Sequence, residues 1–377
     1  MATFSFGFSG DDIDMNEVEA ETDVNESSVQ ETASTLPELV QPQRHEMTEW
    51  LSTLPSQISY NKCIIHAAQE STPGGKTAGI TISRRDVFDI RAQLMVEDGA
   101  EEQNSELIAG LEKGDITPNF YEGGFKTWEC SIDLAALVAG EGGGKGSGGW
   151  MSGDQDRHVV ELGSGTAVPS LAFFAQLLAR TGPETQSTPT EKKKKTHFTF
   201  ADYNSAVLRL VTLPNLLLTW NDIVSSNWRT SDEEEQEDML DITPELLANF
   251  QEDLSRRGIT VSFISGAWSP SFVGLVFSAE ELANYKTLVL ASETIYSPAS
   301  LRAFSETLLE LLRRSSVSGG SRALIAAKKV YFGVGGGVDE FLAVLRGVSG
   351  GELEVEERMD VKSAGVGRLV LEIKLGQ

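Results

Sequence analysis

The stretch His158-Val-Val-Glu-Leu-Gly-Ser-Gly-Thr-Ala-Val-Pro-Ser-Leu171 constrains the fold of this chain more than any other. An apolar run closes on an acid, Glu161. Two glycines follow one residue apart, Gly163 and Gly165, and an apolar helical pattern begins at Val168. The order is strand, tight turn, helix N-terminus. Glycine takes positive φ and lets a ligand approach where a Cβ would block it. The helix start offers unpaired N–H groups and a partial positive charge. Such a unit suits a nucleotide-like ligand.

The surrounding chain repeats the units a parallel sheet needs. Strands are predicted at 157–162, 197–202, 259–264, 286–291 and 322–328. Helices are predicted between them at 168–180, 204–218, 245–257 and 299–314, and later at 339–345. This alternation implies an α/β fold with helices on both faces of the sheet. Residues 352–358 and 366–374 alternate with no helix between them, which reads as a terminal antiparallel hairpin.

Upstream, Val87, Ile90, Leu94 and Met95 form the apolar side of a helix over 86–95. Residues 118–125 read as a turn, and Trp128, Ile132, Leu134, Ala135 and Leu137 suit a buried helix. Glycines over 140–149 form a flexible insert. Residues 46–66 mix helix-like and extended pieces, with Trp50, Leu51, Leu54 and Ile58 as an amphipathic face. The loop at 70–79 holds Gly75-Lys76-Thr77, but Glu70 stands where a phosphate loop needs glycine.

Residues 9–45 are rich in acids and poor in large apolar side chains, so they read as a disordered tail. Phe4, Phe6 and Phe8 either add a strand to a partner or belong to a frayed terminus. Lys192–Lys195 and Asp232–Asp238 are read as solvated loops, the lysines alternatively as a nuclear signal or docking patch. The expected organisation is an acidic tail at 1–45, an accessory region at 46–119 and the α/β domain at 120–377.

A net charge of −25 argues against general nucleic-acid binding, which needs clustered Lys and Arg. An acidic surface favours basic partners, in a salt-dependent way. Cys63 and Cys130 are too few for a disulfide framework or a zinc cluster, so a reducing compartment is expected. The N-terminus has no basic-then-apolar leader pattern. No run approaches the roughly 20 apolar residues of a membrane span. No membrane or nucleic-acid partner is expected, and the chain is taken as a monomer. His45, His66, His158 and His197 have no metal spacing and are assigned no role.

In a fold of this kind the glycine turn and the ends of the later strands meet at the carboxyl edge of the sheet. Strand two ends in Asp202, an acid able to accept both hydroxyls of a ribose. Dinucleotide enzymes and S-adenosylmethionine enzymes share that arrangement. A dinucleotide site wants a third glycine, and the position is Val168. Glu161 would repel a pyrophosphate and favour the cationic methionine end of S-adenosylmethionine, which is therefore the preferred cofactor. After strand three come Gly266, Ala267 and Trp268; Trp268 either stacks on an adenine or belongs to the core. After strand four come Ser292, Glu293, Thr294, Ile295 and Tyr296. A Glu and a Tyr at a strand tip are unusual for pure packing. The alternative for Glu293 is a cap on the next turn.

Several blocks together resemble one family. They are Arg85-Asp-Val-Phe-Asp-Ile-Arg91, Tyr121-Glu-Gly-Gly-Phe-Lys-Thr-Trp-Glu-Cys130, the glycine turn, Asp202-Tyr-Asn-Ser205, Thr212-Leu-Pro-Asn215, Ser292-Glu-Thr-Ile-Tyr296 and Tyr331-Phe-Gly-Val-Gly-Gly-Gly337. With these, the chain resembles the protein-histidine N-methyltransferases that act on a large-subunit ribosomal protein, and its Ser-Phe-Gly-Phe start resembles fungal members. The resemblance implies a seven-strand Rossmann-like methyltransferase sheet and S-adenosylmethionine as donor. It implies methylation of a histidine, at the tele nitrogen, on the universal large-subunit ribosomal protein three. It also implies a place in the cytoplasm and nucleus and a link to ribosome assembly and translation. Glu161 and Ser164 stand where the family turn often has Asp and Cys, and loops at 140–154 and 181–196 are unusual.

The implied chemistry suits these residues. A neutral histidine ring already carries an available lone pair near pH 7, whereas lysine must first lose a proton. The site needs orientation and a partner for the ring's far nitrogen, and it needs no strong base. Glu293, Tyr296 and Asn215 are the candidates for holding the ring. The expected cofactor contacts are Trp128, Glu161, Gly163, Gly165, Asp202, Tyr203, Asn204, Gly266, Trp268 and Ser292, with Lys126 and Thr127 nearby. Trp128 alternatively anchors its helix in the core. Tyr331 and Phe332 line the acceptor groove, or Gly333–Gly337 form a plain turn. No metal is expected. The competing functions are methylation of lysine or another acceptor, and a non-catalytic assembly factor that keeps the fold.

Overall fold

The strand–turn–helix unit organises the observed molecule. The computed structural model describes residues 40–67, 79–97, 123–143, 155–180, 194–226, 239–315, 320–332, 335–351, 353–362 and 365–376. Expectations for Phe4, Phe6 and Phe8, for the tail before residue 40, for Gly75–Thr77, for Tyr121 and Glu122, for Lys192 and Lys193, for Asp232–Asp238 and for Gly333 and Val334 lie outside those residues. Leu39–Gln377 form one compact unit.

Among the described residues, one eight-stranded sheet carries the fold, in the order β1-β7-β5-β4-β8-β9-β11-β10. Its strands are β1 (Gln43–His45), β4 (Arg157–Leu162), β5 (Thr196–Asp202), β7 (Ile259–Ser265), β8 (Lys286–Ser292), β9 (Arg322–Lys328), β10 (Leu353–Val361) and β11 (Arg368–Leu375). The five from β7 to β9 run parallel. β11 and β10 add antiparallel at one edge and β1 at the other. Seven of these strands are the expected sheet and hairpin. β1 is the eighth, and it corrects the expected tail boundary: Gln43–His45 pair with Phe263–Ser265. The chain builds outward from β4 through β5 to β7, then returns to β8 on its other side. The crevice at that reversal, at the carboxyl ends of the strands, is where such sheets bind ligands.

Successive side chains on a strand point to opposite faces. Val159, Phe198, Phe200, Phe263 and Leu290 join one core, and Val160, Leu162, Ala201, Ile264 and Val289 join the other. The first core is covered by α3 (Glu129–Gly143), α4 (Val168–Arg180) and α5, which runs from Ser205–Val207 through a π-turn at Leu208–Thr212 into Leu213–Ser226. The second is covered by α7 (Pro270–Val276), α8 (Pro298–Ser315) and α9 (Val338–Ser349). α6 (Pro244–Arg257) starts on a Thr243 cap and ends at Gly258 in the left-handed region. Several helices exceed their expected ends: α5 continues to Ser226, α9 to Ser349, and α3 runs into the glycines as far as Gly143.

The accessory region holds the expected helix and extended pieces and adds a second sheet. After the short helix α1 (Met47–Leu51), it forms a hairpin of β2 (Gln57–His66) and β3 (Gly79–Arg85), joined by β6 (Met239–Asp241). Ile65 and Ile82 belong to the first core. Next comes α2 (Val87–Glu97), whose Ile90 and Leu94 pack on Phe125, Val207 and Val211. His158 and His197 stand in register on β4 and β5, bonded to Thr199, Thr260 and Ser262, and burial lowers both pKa values. Both rings are packed and hydrogen-bonded inside the sheet.

Candidate active site

The turn after β4 holds its shape because only glycine fits. Gly163 has φ +64 and Gly165 φ +49. A Cβ on Gly163 would stand 2.7 Å from Thr294 Cγ2, and one on Gly165 3.1 Å from the Gly124 carbonyl oxygen. The tip of β8 and the segment before α3 thus close directly onto the turn.

The turn is then fixed from the neighbouring strand and helix. Gly165 N donates to Asp202 Oδ2 at 3.0 Å, and Asn204 N donates to Asp202 Oδ1 at 3.2 Å. The Asn204 side chain caps α5 by accepting from Ala206 N. From the far side, Thr212 Oγ1 donates to Gly165 O at 2.7 Å, and Asn215 Nδ2 donates to Thr166 O at 3.0 Å. Thr212 belongs to the π-turn of α5, a distortion that often marks functional positions. Asn215 Oδ1 also accepts from Arg85 N at 2.7 Å, so the end of β3 is tied to the turn through one side chain.

Above the turn lies a cavity of about 310 Å³. Gly123, Gly124, Lys126 and Trp128 bound it on one side; Gly163–Thr166 form its base; Asp202, Tyr203, Asn204, Ala267 and Trp268 bound the other. The remaining side is Ser292, Glu293, Thr294, Tyr296 and the first turn of α8. The structure therefore brings together Trp128, Gly163, Gly165, Asp202, Tyr203, Asn204, Trp268, Ser292, Glu293 and Tyr296. Trp128 is a wall rather than a core anchor, its Nε1 donating to Gly123 O at 3.0 Å. Trp268 lines the cavity and also packs on the second core, meeting Phe272 edge-on at 5.2 Å.

Three sequence expectations are corrected. Asn215 is fully buried and outside the cavity wall. Both ends of its amide are used on backbone partners, so it braces the turn and cannot hold an acceptor ring. Gly266 also lies outside the wall: with φ +111, it brings the chain so close to β1 that a Cβ would stand 2.7 Å from Gln41 O. Its neighbour Ala267 makes the wall instead. Glu161 lies beneath the turn, 1% exposed, with Oε2 accepting from Ser170 N at the start of α4. Burial pushes its pKa up to about 8. Glu161 is outside the cavity wall; its Oε2 serves the start of α4, and its Oε1 has no hydrogen-bond partner.

The Ser292–Tyr296 side holds strain and unmet polar groups. Glu293 has φ +56, a conformation that costs a non-glycine residue of order 1–3 kcal/mol and that clusters at functional sites. Its Oε1, Thr294 Oγ1 and Ser164 Oγ are buried without a hydrogen-bond partner, although all three residues line the cavity. Buried polar atoms are normally paired. These orphans fit a polar ligand. So does Asp202: each carboxylate oxygen retains acceptor capacity for a ribose hydroxyl. Beside Glu293, the Tyr331 hydroxyl accepts from Lys328 N at 3.2 Å, and its ring meets Tyr296 at 6.3 Å. Burial, with Glu293 adding, pushes the Tyr331 pKa up. Tyr331 supports the cavity from behind, while Phe332 is 79% exposed. Among the described residues no cluster of metal-ligating side chains occurs.

The sequence reading missed Gly123, Ser131, Val207, Ser297, Ala299, Ser300 and Ala303 as wall residues. They are small or apolar and carry no local signal. Gly123 and Gly124 precede the expected Trp128 closely enough that the Gly-Gly pair itself was the available hint.

No family model matches the chain. It is 33% identical over 362 residues to histidine protein methyltransferase 1 of Saccharomyces cerevisiae, covering 91% of this chain and 90% of that one. To histidine protein methyltransferase 1 of Schizosaccharomyces pombe it is 37% identical over 263 residues, covering 70% and 68%. Among solved structures, the N-terminal domain of EvdMO1 with SAH bound matches with a TM-score of 0.33 at 11% identity, over 77% of this chain and 98% of that one.

Proposed function

The chain belongs to the histidine protein methyltransferase family, and from that premise we propose that it methylates the tele nitrogen of a histidine on the universal large-subunit ribosomal protein three, serving ribosome assembly and translation from the cytoplasm and nucleus. The donor is S-adenosylmethionine, which supplies a methyl group activated on a sulfonium sulfur. The observation that carries the reading is the placement of Glu293, strained and with one unpaired oxygen, on the same cavity as the glycine turn and Asp202.

Asp202 accepts the ribose hydroxyls, and Trp128, Tyr203 and Trp268 wall the rest of the nucleoside. Glu293 accepts from the N–H on the far side of the acceptor ring, so the near nitrogen presents its lone pair. A bound S-adenosylmethionine would supply the methyl group to that nitrogen and leave as S-adenosylhomocysteine, so the positive charge would pass to the ring. The carboxylate stabilises this charge where it develops. Tyr296 closes the cavity beside it. Alignment of this kind contributes about 7–11 kcal/mol of barrier lowering. The net charge of −25 suits a basic acceptor protein.

Mass spectrometry of ribosomal protein from cells with and without this gene tests the proposal. Loss of one histidine methylation on that protein is expected when the gene is absent. An unchanged histidine in both samples contradicts the substrate.

A further inference from the structure

Lys328 ends β9, the strand that pairs with β8 beside the acceptor loop. It is not part of the cavity wall. Its ammonium nevertheless stands 3.7 Å from Glu293 Oε1 and 5.2 Å from the centroid of the Trp128 ring. Glu293 faces the cavity from the acceptor side and Trp128 from the cofactor side. The same residue's backbone N–H donates to the Tyr331 hydroxyl, and the Tyr331 ring meets Tyr296. One cation behind the wall thus touches a key side chain of each half.

We propose that Lys328 is a positioning residue for methyl transfer, holding the Glu293 carboxylate and the Trp128 indole at one spacing. The proposal rests on the reading of Glu293 as the group that faces the acceptor. The Glu293 side chain is only 10% exposed, so its charge needs a nearby opposite charge more than a surface carboxylate does. At 3.7 Å the ammonium restrains the carboxylate without making a short hydrogen bond to it. A cation over an indole face is attracted by the ring quadrupole, which fixes the tilt of Trp128. Glu129 also pairs with Lys328, at 3.5 Å, but is 61% exposed and so contributes less.

The test is a double-mutant cycle in the full chain, with Lys328→Met, Glu293→Gln, the double variant and Lys328→Arg. Methyl transferred per enzyme gives kcat, calorimetry with S-adenosylhomocysteine gives cofactor-site affinity, and thermal melting checks the fold. Lys328→Met is expected to lower kcat by about tenfold or more, the scale set by small misplacements of reacting groups. It is expected to weaken S-adenosylhomocysteine binding less, by roughly threefold, through Trp128. Lys328→Arg, which keeps the charge, is expected to recover most of kcat. The double variant is expected to be no slower than Glu293→Gln alone, because coupled residues are not additive. Additive losses, a wild-type kcat in Lys328→Met, or equal losses in the Met and Arg variants at unchanged melting temperature would each overturn the proposal. A methylated residue other than histidine would instead overturn the assigned acceptor. It would leave the cycle readable, because the cycle counts methyl groups transferred.

Discussion

The glycine-turn half of the cavity has its backbone braced from β5 and α5, whereas the Ser292–Tyr296 half is braced from β9 and the loop after it. Around the turn, Gly165 N donates to Asp202 at the end of β5, Gly165 O and Thr166 O accept from Thr212 and Asn215 of α5, and the second Asp202 oxygen accepts from Asn204 N. At the tip of β8, Glu293 is held at φ +56, and Glu293 Oε1 and Thr294 Oγ1 have no hydrogen-bond partner. Each half holds one non-glycine residue at positive φ, Ala167 at +58 and Glu293 at +56, and each holds buried polar atoms without a hydrogen bond, Ser164 Oγ and Glu161 Oε1 on the one side and Glu293 Oε1 and Thr294 Oγ1 on the other. What differs is the bracing: the position of the second half depends on side chains from β9 and the loop after it.

Substitutions sharpen that contrast. If the halves are separable, Asp202→Ala removes two charge-assisted bonds to the ribose. Cofactor affinity then falls about a hundredfold or more, since such bonds contribute about 1.5–3 kcal/mol each. Calorimetry with S-adenosylhomocysteine reads this, and a loss under threefold would remove Asp202 from the cradle. Glu293→Gln is next in size. It is expected to lower kcat by about a hundredfold, the scale of one lost transition-state contact, while cofactor affinity stays within roughly threefold. An equal loss in both quantities would merge the two halves. Asn215→Ala leaves Thr166 O and Arg85 N unpaired and buried, at a cost of about 1–3 kcal/mol each. A lower melting temperature and about tenfold weaker cofactor binding are expected. A kcat defect alone would return Asn215 to the acceptor.

The smallest effect concerns Glu161. Its pKa is raised from 4.5 to about 8 in the folded chain. Between those values the unfolded chain has lost the proton and the folded chain keeps it, so this group makes stability fall as pH rises. Glu161→Gln does not titrate and loses that slope. Denaturant melts at pH 5 and pH 8 should show a smaller decline with rising pH in the variant than in the wild type. Identical declines would place the Glu161 proton elsewhere.

Much of the cradle was legible because its signal is local. The run from Val159 to Leu171 contains the strand, the turn and the helix start, and the end of the next strand supplies Asp202 in register. What escaped depends on distant partners. Asn215 stood out as a polar residue among leucines, yet its use is set by Arg85, 130 positions earlier. Glu161 read as a charged ligand group because nothing local shows that α4 buries it. The β2–β3 hairpin lacked a clean alternation: Asn61 and Lys62 interrupt it, and Ile64 is 59% exposed. β1 spans three polar residues, so only its partner strand makes it a strand. Lys328 is an ordinary lysine in sequence and gains meaning from Glu293 and Trp128 alone.

The most direct test of the account is the identity of the methylated residue. Purified protein would be incubated with isotopically methyl-labelled S-adenosylmethionine and the large-subunit ribosomal protein, and the product hydrolysed to amino acids and separated. Label in tele-methylhistidine, formed about a hundredfold more slowly with Glu293→Gln, is the predicted result. Label in methyl-lysine, or methylhistidine formed equally well without the Glu293 carboxylate, would contradict it.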